Sequence, residues 1–386
     1  MLLNNYSHIC IDATCIVLNG KGATVYAISL LQALQKLNPI ARFTILIRQE
    51  AVSLLKITSL NWRIYTLQLN SVHLWHFFTL PNLLKELKPD LLHILGETAL
   101  PYLPVQYILA IHELPHLYRQ QTKNFCNQSW YEFLSQCLTE IVLPNTCRRA
   151  VHLLAVSQST ATALIKEFQV SPEKVSVTYA AADHRFFQAA TQSSSNWCKS
   201  IPQPYILIYA TGDRREVPEQ VVQAFGRITD LVPHTLVIAG RCPDWQKSNL
   251  MQIATELGCL DRLYFTGFVP NDDVPILYRD ADIYLEMSLY EGFGLQVCEA
   301  MATGTVAIAS NVASLPEVVN DGGYLVPLND TATLADKLVT LLTNSSQAHY
   351  RSWLAQQQAA KFSWDKCASE TWAVMEQVLK TIPKYQ

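Results

Sequence analysis

The 386-residue chain is 49% apolar and 16% charged, which excludes a disordered or fibrous polymer and leaves room for two domains of ordinary size. No apolar run reaches the roughly eighteen residues of a spanning helix, and MLLNNYSHIC lacks a basic flank before a long apolar core, so neither a span nor a secretion signal is expected. The ten cysteines are scattered without a Cys-x-x-Cys pair, which points to reduced thiols in the cytoplasm rather than zinc or disulfides. The net charge of −3 is uneven: residues 1–190 carry 15 Lys/Arg against 11 Asp/Glu, and the remainder 14 against 21. A mildly basic first half suits an anionic substrate or a membrane surface, and no basic stripe of the kind nucleic acid requires is present.

Short β-branched and aromatic runs alternate with helical patterns along the whole chain. In the first half the expected strands are HICIDATC (8–15), FTILIR (43–48), LLHILG (91–96), YILAIHEL (107–114), HLLAVS (152–157) and KVSVTY (174–179). Between them lie amphipathic segments such as ATVYAISLLQALQKL. Segment 72–88, VHLWHFFTLPNLLKELK, reads in two ways: a helix whose Trp75, Phe77 and Leu80 face the first core, or an amphipathic surface lying on a membrane. A Ser-, Gln- and Pro-rich stretch at 190–204 reads as a linker. Beyond it the expected strands are YILIYA (205–210), TLVIAG (235–240), RLYFTGF (262–268), ADIYLEM (281–287), TVAIAS (305–310) and GYLVP (323–327). A helix near 331–343, a polar gap and a last helix, SWDKCASETWAVMEQVLKTI, close the chain. Continuous apolar strands separated by helices predict an α/β protein with two doubly wound parallel sheets, and ligands then bind beyond the carboxyl ends of the strands, in a cleft expected between the domains.

One stretch concentrates the chemistry. SLYEGFGLQVCEAMATGT places Glu291 and Glu299 eight positions apart around a glycine turn that leads from a strand into a helix. Such a turn points backbone N–H groups and the positive end of a helix at an anion, and Gly292 and Gly294 let the backbone approach it closely. Carboxylates on either side of a bound diphosphate suit the hydroxyl groups of a ribose and a sugar.

This stretch, followed by SNVASLPEVVNDGGYLVPLND, resembles the donor-binding region of the family 4 retaining glycosyltransferases, with their Glu-x7-Glu motif. IAG (238–240) with Trp245, LGCLDRLYFTGFVPNDDVPILYRDAD, FSWDKCASETW, AIHELPHL, AVSQSTATALIKEF and VSVTYAAADHRFF are similar to the same family. The resemblance implies a GT-B fold of two Rossmann-like domains: an acceptor-side domain over 1–189, the linker 190–204, a donor domain over 205–362, and a closing helix over 363–386 that packs back on the first. It implies transfer of a hexosyl group from a GDP- or UDP-linked sugar to a glycan or lipid-linked acceptor, with no cofactor or metal. Glu299 would hold the ribose and Glu291 the sugar, with the amides of Phe293, Gly294 and Leu295 along the sugar and diphosphate. His112 would lie near the donor sugar, and Gly20 or Gly22 would bring the first loop to the phosphates, with Lys21 as its cation. Gly212, Arg214 and Arg215 would serve the diphosphate. Asp280-Ala281-Asp282 has the Asp-x-Asp form of a metal site but precedes its strand on the side away from the cleft.

The chain departs from the family in one important place. Where an Arg-Lys pair is usual, it carries Arg215-Glu216, and a carboxylate there is expected to repel a diphosphate, with Arg214 as the substitute cation. That departure motivates an alternative reading, a weak or inactive sugar-nucleotide-binding or scaffold protein.

Overall fold

The computed structural model describes residues 6–18, 20, 22–69, 71–114, 116–119 and 130–382, with the side chains of 118, 119 and 130–136 left aside. These residues pack as two compact units: one reaches to Ala180 and takes in the chain from Trp364 onward, and the other is Ala181–Ser363.

In the first unit, β1 (His8–Asp12), β2 (Arg42–Arg48), β3 (Trp62–Leu67), β4 (Leu91–Ile94), β5 (Tyr107–Ile111), β6 (His152–Ala155) and β7 (Val175–Val177) form one parallel sheet in the order β3-β2-β1-β4-β5-β6-β7. Every residue of β1, β4, β5 and β6 is buried, which is why these strands read as unbroken apolar runs. The sequence reading missed β3. It lies at the sheet edge with its four central residues exposed, so it has no buried run to reveal it. Helix Trp364–Thr381 packs on helix Gly22–Leu37, with Tyr26 against Trp364 at 5.6 Å between ring centroids. The Lys36–Asp365 ion pair alongside is mostly exposed and adds little.

Segment 72–88 forms helical turns over Val72–Leu74, Trp75–Thr79 and Leu80–Leu87. Trp75 and Leu80 enter the core, as the core-face reading requires, together with Leu83 and Leu84, whereas Phe77 is only half-buried and Leu74 and Phe78 face outward. Among the described residues no helix is long and apolar enough to cross a membrane.

In the second unit, β8 (Tyr205–Tyr209), β9 (Thr235–Ala239), β10 (Leu263–Gly267), β11 (Ile283–Glu286), β12 (Val306–Ser310) and β13 (Gly323–Val326) form a parallel sheet in the order β10-β9-β8-β11-β12-β13. The strand order reverses between β8 and β11, so the loops after those two strands flank the switch point where such sheets bind ligands. The stretch read as a polar gap is in fact helix Ser345–Ala359, capped by Asn344, whose side chain accepts the Gln347 N–H at 3.0 Å. Its buried face is Ala355, Gln358 and Ala359, packed partly on helix Leu295–Ala302, and so carries no large apolar periodicity.

Candidate donor site at the carboxyl ends of β8 and β11

β11 ends at Glu286, and the chain turns through Ser288–Gly294 into helix Leu295–Ala302. The turn is tied to the neighbouring strand: the Ser288 N–H donates to Ser310 Oγ at 3.1 Å, and Ser310 Oγ donates to the Ser288 carbonyl at 2.7 Å. Ser288 Oγ donates to Glu291 Oε1 at 3.0 Å, and Ser314 Oγ to the Glu291 carbonyl at 2.8 Å, so side chain and backbone of Glu291 are both held. Gly294 has φ +88°, and a Cβ there would lie 2.8 Å from Leu315 Cδ2; both the conformation and the contact require glycine. Phe293 turns its ring inward, edge-on to Phe362 at 5.3 Å. Past Gly294, the first-turn amides of Leu295, Gln296 and Val297 have no acceptor within their own helix, and the helix end adds its positive dipole.

The loop after β8 meets this turn. Gly212 has φ +79° and gives its N–H to Gln246 Oε1 at 3.1 Å. Arg215 forks onto Asp213, with Nε to Oδ1 at 3.0 Å and Nη2 to Oδ2 at 2.8 Å, and its Nη1 lies 4.0 Å from Glu291 Oε2. The guanidinium thus stands beside the first glutamate, with N–H groups beyond those on Asp213. Arg214, half-buried, precedes it. The two loops are joined through backbone: the Val217 N–H donates to the Met287 carbonyl and the Leu289 N–H to the Arg215 carbonyl, each at 2.8 Å.

Glu216 has a partner in the loop that the sequence reading did not foresee. Its carboxylate accepts the Thr211 N–H at 2.8 Å and the Thr211 hydroxyl at 2.6 Å, folding the loop on itself. These bonds give the carboxylate a structural role in the loop, and its negative charge still acts on Glu286 and Cys242 nearby. Glu216→Lys is therefore expected to loosen the loop rather than repair the site. Two charge-assisted hydrogen bonds are lost, at a cost of about 2 kcal/mol or more. A fall in the thermal midpoint without a gain in turnover is the expected result, and a gain in turnover would contradict it.

Glu299 lies in the second turn of the same helix. Burial pushes its carboxyl up to about 8 although part of the residue stays open to solvent; Arg185 draws it down and Asp183 raises it. Sequence reasoning passed over Glu286 as an ordinary strand residue. It is 8% exposed, receives the Tyr284 hydroxyl, and is pushed up to about 8 by burial and then by Glu291. Its signal was a carboxylate in an otherwise apolar strand, ILIYA-like in every other respect.

In the first unit, His112 follows β5. Its Nε2 donates to the Leu95 carbonyl at 2.9 Å, which assigns the proton of a neutral ring to Nε2 and leaves Nδ1 as acceptor. Its backbone N–H donates to Glu97 Oε2 at 3.1 Å, and Tyr26 meets its ring edge-on at 4.5 Å. Burial raises the Glu97 carboxyl, His112 opposes that, and Glu113 adds to it; Glu97 is a second carboxylate the sequence reading did not single out. Gly20 gives its N–H to the Val17 carbonyl at 3.0 Å, and a Cβ on it would collide with Thr24, whose hydroxyl bridges Cys15 and Val17. That packing accounts for the glycine without a ligand. Gly22 opens helix Gly22–Leu37, and Lys21 lies outside the described residues.

Asp280 pairs with Arg279 at 2.7 Å and Asp282 with His234 at 3.1 Å, both just before the amino-terminal end of β11 and so at the opposite end of that strand from Glu291. Among the described residues no group of three or more His, Cys, Asp or Glu could hold a metal ion.

Comparison with known proteins bears on both units. Residues 20–186 match the description "Glycosyltransferase Family 4", and residues 197–358 match "Glycosyl transferases group 1". The chain belongs to the family 4, group 1 glycosyltransferases. Among relatives of this glycosyltransferase, the O-antigen chain mannosyltransferase B of Escherichia coli is 31% identical over 44% of this chain and 45% of its own length. The MMP alpha-(1->4)-mannosyltransferase of Mycolicibacterium hassiacum is 26% identical over 66% of this chain and 59% of its own. The matched stretch therefore spans about half the length of these two relatives. A sucrose-phosphate synthase from Thermosynechococcus elongatus superposes with TM-score 0.74 at 19% identity, over 97% of this chain and 100% of that one. That likeness is one of fold, and the two parallel-sheet units are those of the GT-B architecture.

Proposed function

We propose that this glycosyltransferase moves a hexosyl group, with mannose the first candidate, from a GDP- or UDP-linked sugar to a glycan or lipid-linked acceptor, with retention at the anomeric carbon. The observation that carries this reading is the pair Glu291 and Glu299 on either side of the glycine turn at the switch point between β8 and β11. The diphosphate is assigned to the amides of Phe293, Gly294 and Leu295 and to Arg214 and Arg215, with Gly212 shaping the loop that carries them. Negative charge grows on the leaving diphosphate as the glycosidic bond breaks, and donors already aimed at it stabilise that charge with little reorganisation. Glu291, held by Ser288 and Arg215, is assigned to the sugar hydroxyls, and Glu299 to the ribose. His112 is proposed to take part in handling the sugar, with its Nδ1 as the acceptor. The mannosyltransferase names of the relatives support the choice of sugar. The alternative of an inactive scaffold rested on Glu216, whose carboxylate is engaged with Thr211, and no other observation favours it.

The test is nucleotide release from a panel of GDP- and UDP-sugars, with and without excess chelator, offered soluble and liposome-borne acceptors. Turnover with at least one donor that survives the chelator is expected. Glu291→Ala should lower kcat/KM by about a hundredfold. Absence of binding and turnover with every donor, or an unimpaired Glu291→Ala, would overturn the reading. A lipid-linked acceptor would bring the chain to a membrane surface; a preference for the liposome-borne acceptor that falls when the exposed Leu74 and Phe78 are replaced by serine marks that case.

A further inference from the structure

Beneath the donor turn lies a group for which the proposed reaction has no role. Glu286, the last residue of β11, is buried on the face of the sheet where Tyr284 also points, and the Tyr284 hydroxyl donates to its Oε2. The ionisable groups facing it come from four places: Tyr284 on its own strand, Tyr278 on helix Val274–Arg279, Glu291 in the glycine turn, and Arg215 and Glu216 in the loop after β8. Three carboxylates therefore converge near one guanidinium that Asp213 already grips.

We propose that Glu286 is a positioning residue, a buried carboxyl under the donor turn whose protonated form does not compete with the diphosphate for Arg215. The inference rests on the transferase reading above and adds a residue to it. Burial, and after it the adjoining Glu291, push the Glu286 carboxyl up to about 8, which favours its neutral form at pH 7. A neutral Glu286 adds no charge to the pocket. An ionised Glu286 has two effects, both unfavourable to binding. It sets a further anion against Glu291 and the donor diphosphate. It also competes with Asp213 and Glu291 for Arg215, drawing the guanidinium down towards the strand and away from a ligand. The Tyr284 hydroxyl stabilises the ionised form and so sets the pH at which this happens.

Calorimetric titration of the full chain with the GDP- or UDP-sugar that gives turnover, at pH 8 and pH 9.5, tests this. Donor affinity of the parent should fall about tenfold across that interval, because the complex requires the proton on Glu286. In Glu286→Gln, which is neutral at every pH, the affinity should fall about tenfold less than in the parent; ionisation of the nucleotide base acts equally on both proteins and cancels in that comparison. Tyr284→Phe removes the donated hydroxyl and should move the falling limb to higher pH. An alkaline loss in Glu286→Gln equal to that of the parent overturns the proposal. Should Glu286→Gln fail to fold, the Tyr284→Phe limb decides alone: a limb that stays put or moves to lower pH overturns it. Failure of every donor to bind at pH 7 would sink the transferase reading and this inference with it, whereas binding at pH 7 with the wrong pH response sinks this inference only.

Discussion

Replacing Glu299 by alanine is expected to weaken donor binding about a hundredfold or more, and replacing it by glutamine to abolish the acid limb of the affinity profile. The first figure follows from two charge-assisted hydrogen bonds to neighbouring ribose hydroxyls, each worth about 1.5–3 kcal/mol. The second follows from protonation. Burial holds the free carboxyl at about 8, so at pH 6 to 7 it is mostly neutral. Ribose hydroxyls donate best to the anion, so binding draws the carboxyl below its free value and releases a proton. Donor affinity should therefore rise about tenfold per pH unit from pH 6 to 7 and level off above pH 8. Calorimetry in two buffers of different ionisation enthalpy would read the released proton directly, and a parent profile flat between pH 6 and 8 would remove Glu299 from the ribose. The slope is opposite in sign to the one expected from Glu286. One buried carboxyl must lose its proton and the other must keep it, and the profile of the parent is accordingly a bell with its top near pH 8.

The reasons some of this could be read from the sequence, and some could not, are physical. Of the thirteen strands among the described residues twelve stand out in the sequence, most plainly the inner ones, because a parallel strand covered on both faces has little room for polar side chains, as LLHI and VAIAS illustrate. The thirteenth, WRIYTL, lies at an edge and exposes its middle. Helix Ser345–Ala359 was hidden for a related reason: it buries alanine and glutamine, and its packing needs small size rather than apolar bulk. At the site, Gly294 and the two glutamates are legible because backbone conformation and spacing are local properties. The fate of Glu216 was not, since the Thr211 donors that occupy it become neighbours only when the loop closes. Residue type shows the carboxylate, and only the folded loop shows what it holds. Glu97 escaped notice for the complementary reason, because only its surroundings in the fold make it unusual, and the one sign of Glu286 was a carboxylate in an apolar strand.

The largest effect expected on stability lies far from the chemistry, in the middle of the first sheet. His93 on β4 is fully buried between its register partners Ile11 and Ile108, and neither ring nitrogen has a hydrogen-bond partner. An imidazole left so carries the desolvation cost of an unmade donor and acceptor, about 1–3 kcal/mol. His93→Leu, of similar size, should therefore stabilise the first unit at pH 7 by about 1–2 kcal/mol. Burial also lowers the ring to about 3 from an ordinary 6.5, so the folded chain keeps it neutral while the unfolded chain takes up a proton below pH 6.5. Stability from this group is then lost as pH falls, by about 1.4 kcal/mol per unit, or about 2 kcal/mol between pH 6.5 and 5. The gap between His93→Leu and the parent should widen by that amount on acidification. Urea midpoints of the transition that includes β4, measured at pH 7 and pH 5, would read both quantities. His8, His73 and His152 are lowered by burial as well and should leave a residual acid slope in the variant. The argument therefore turns on the difference between the two proteins, and a variant that tracks the parent at both pH values would show that β4 accommodates its histidine at no cost.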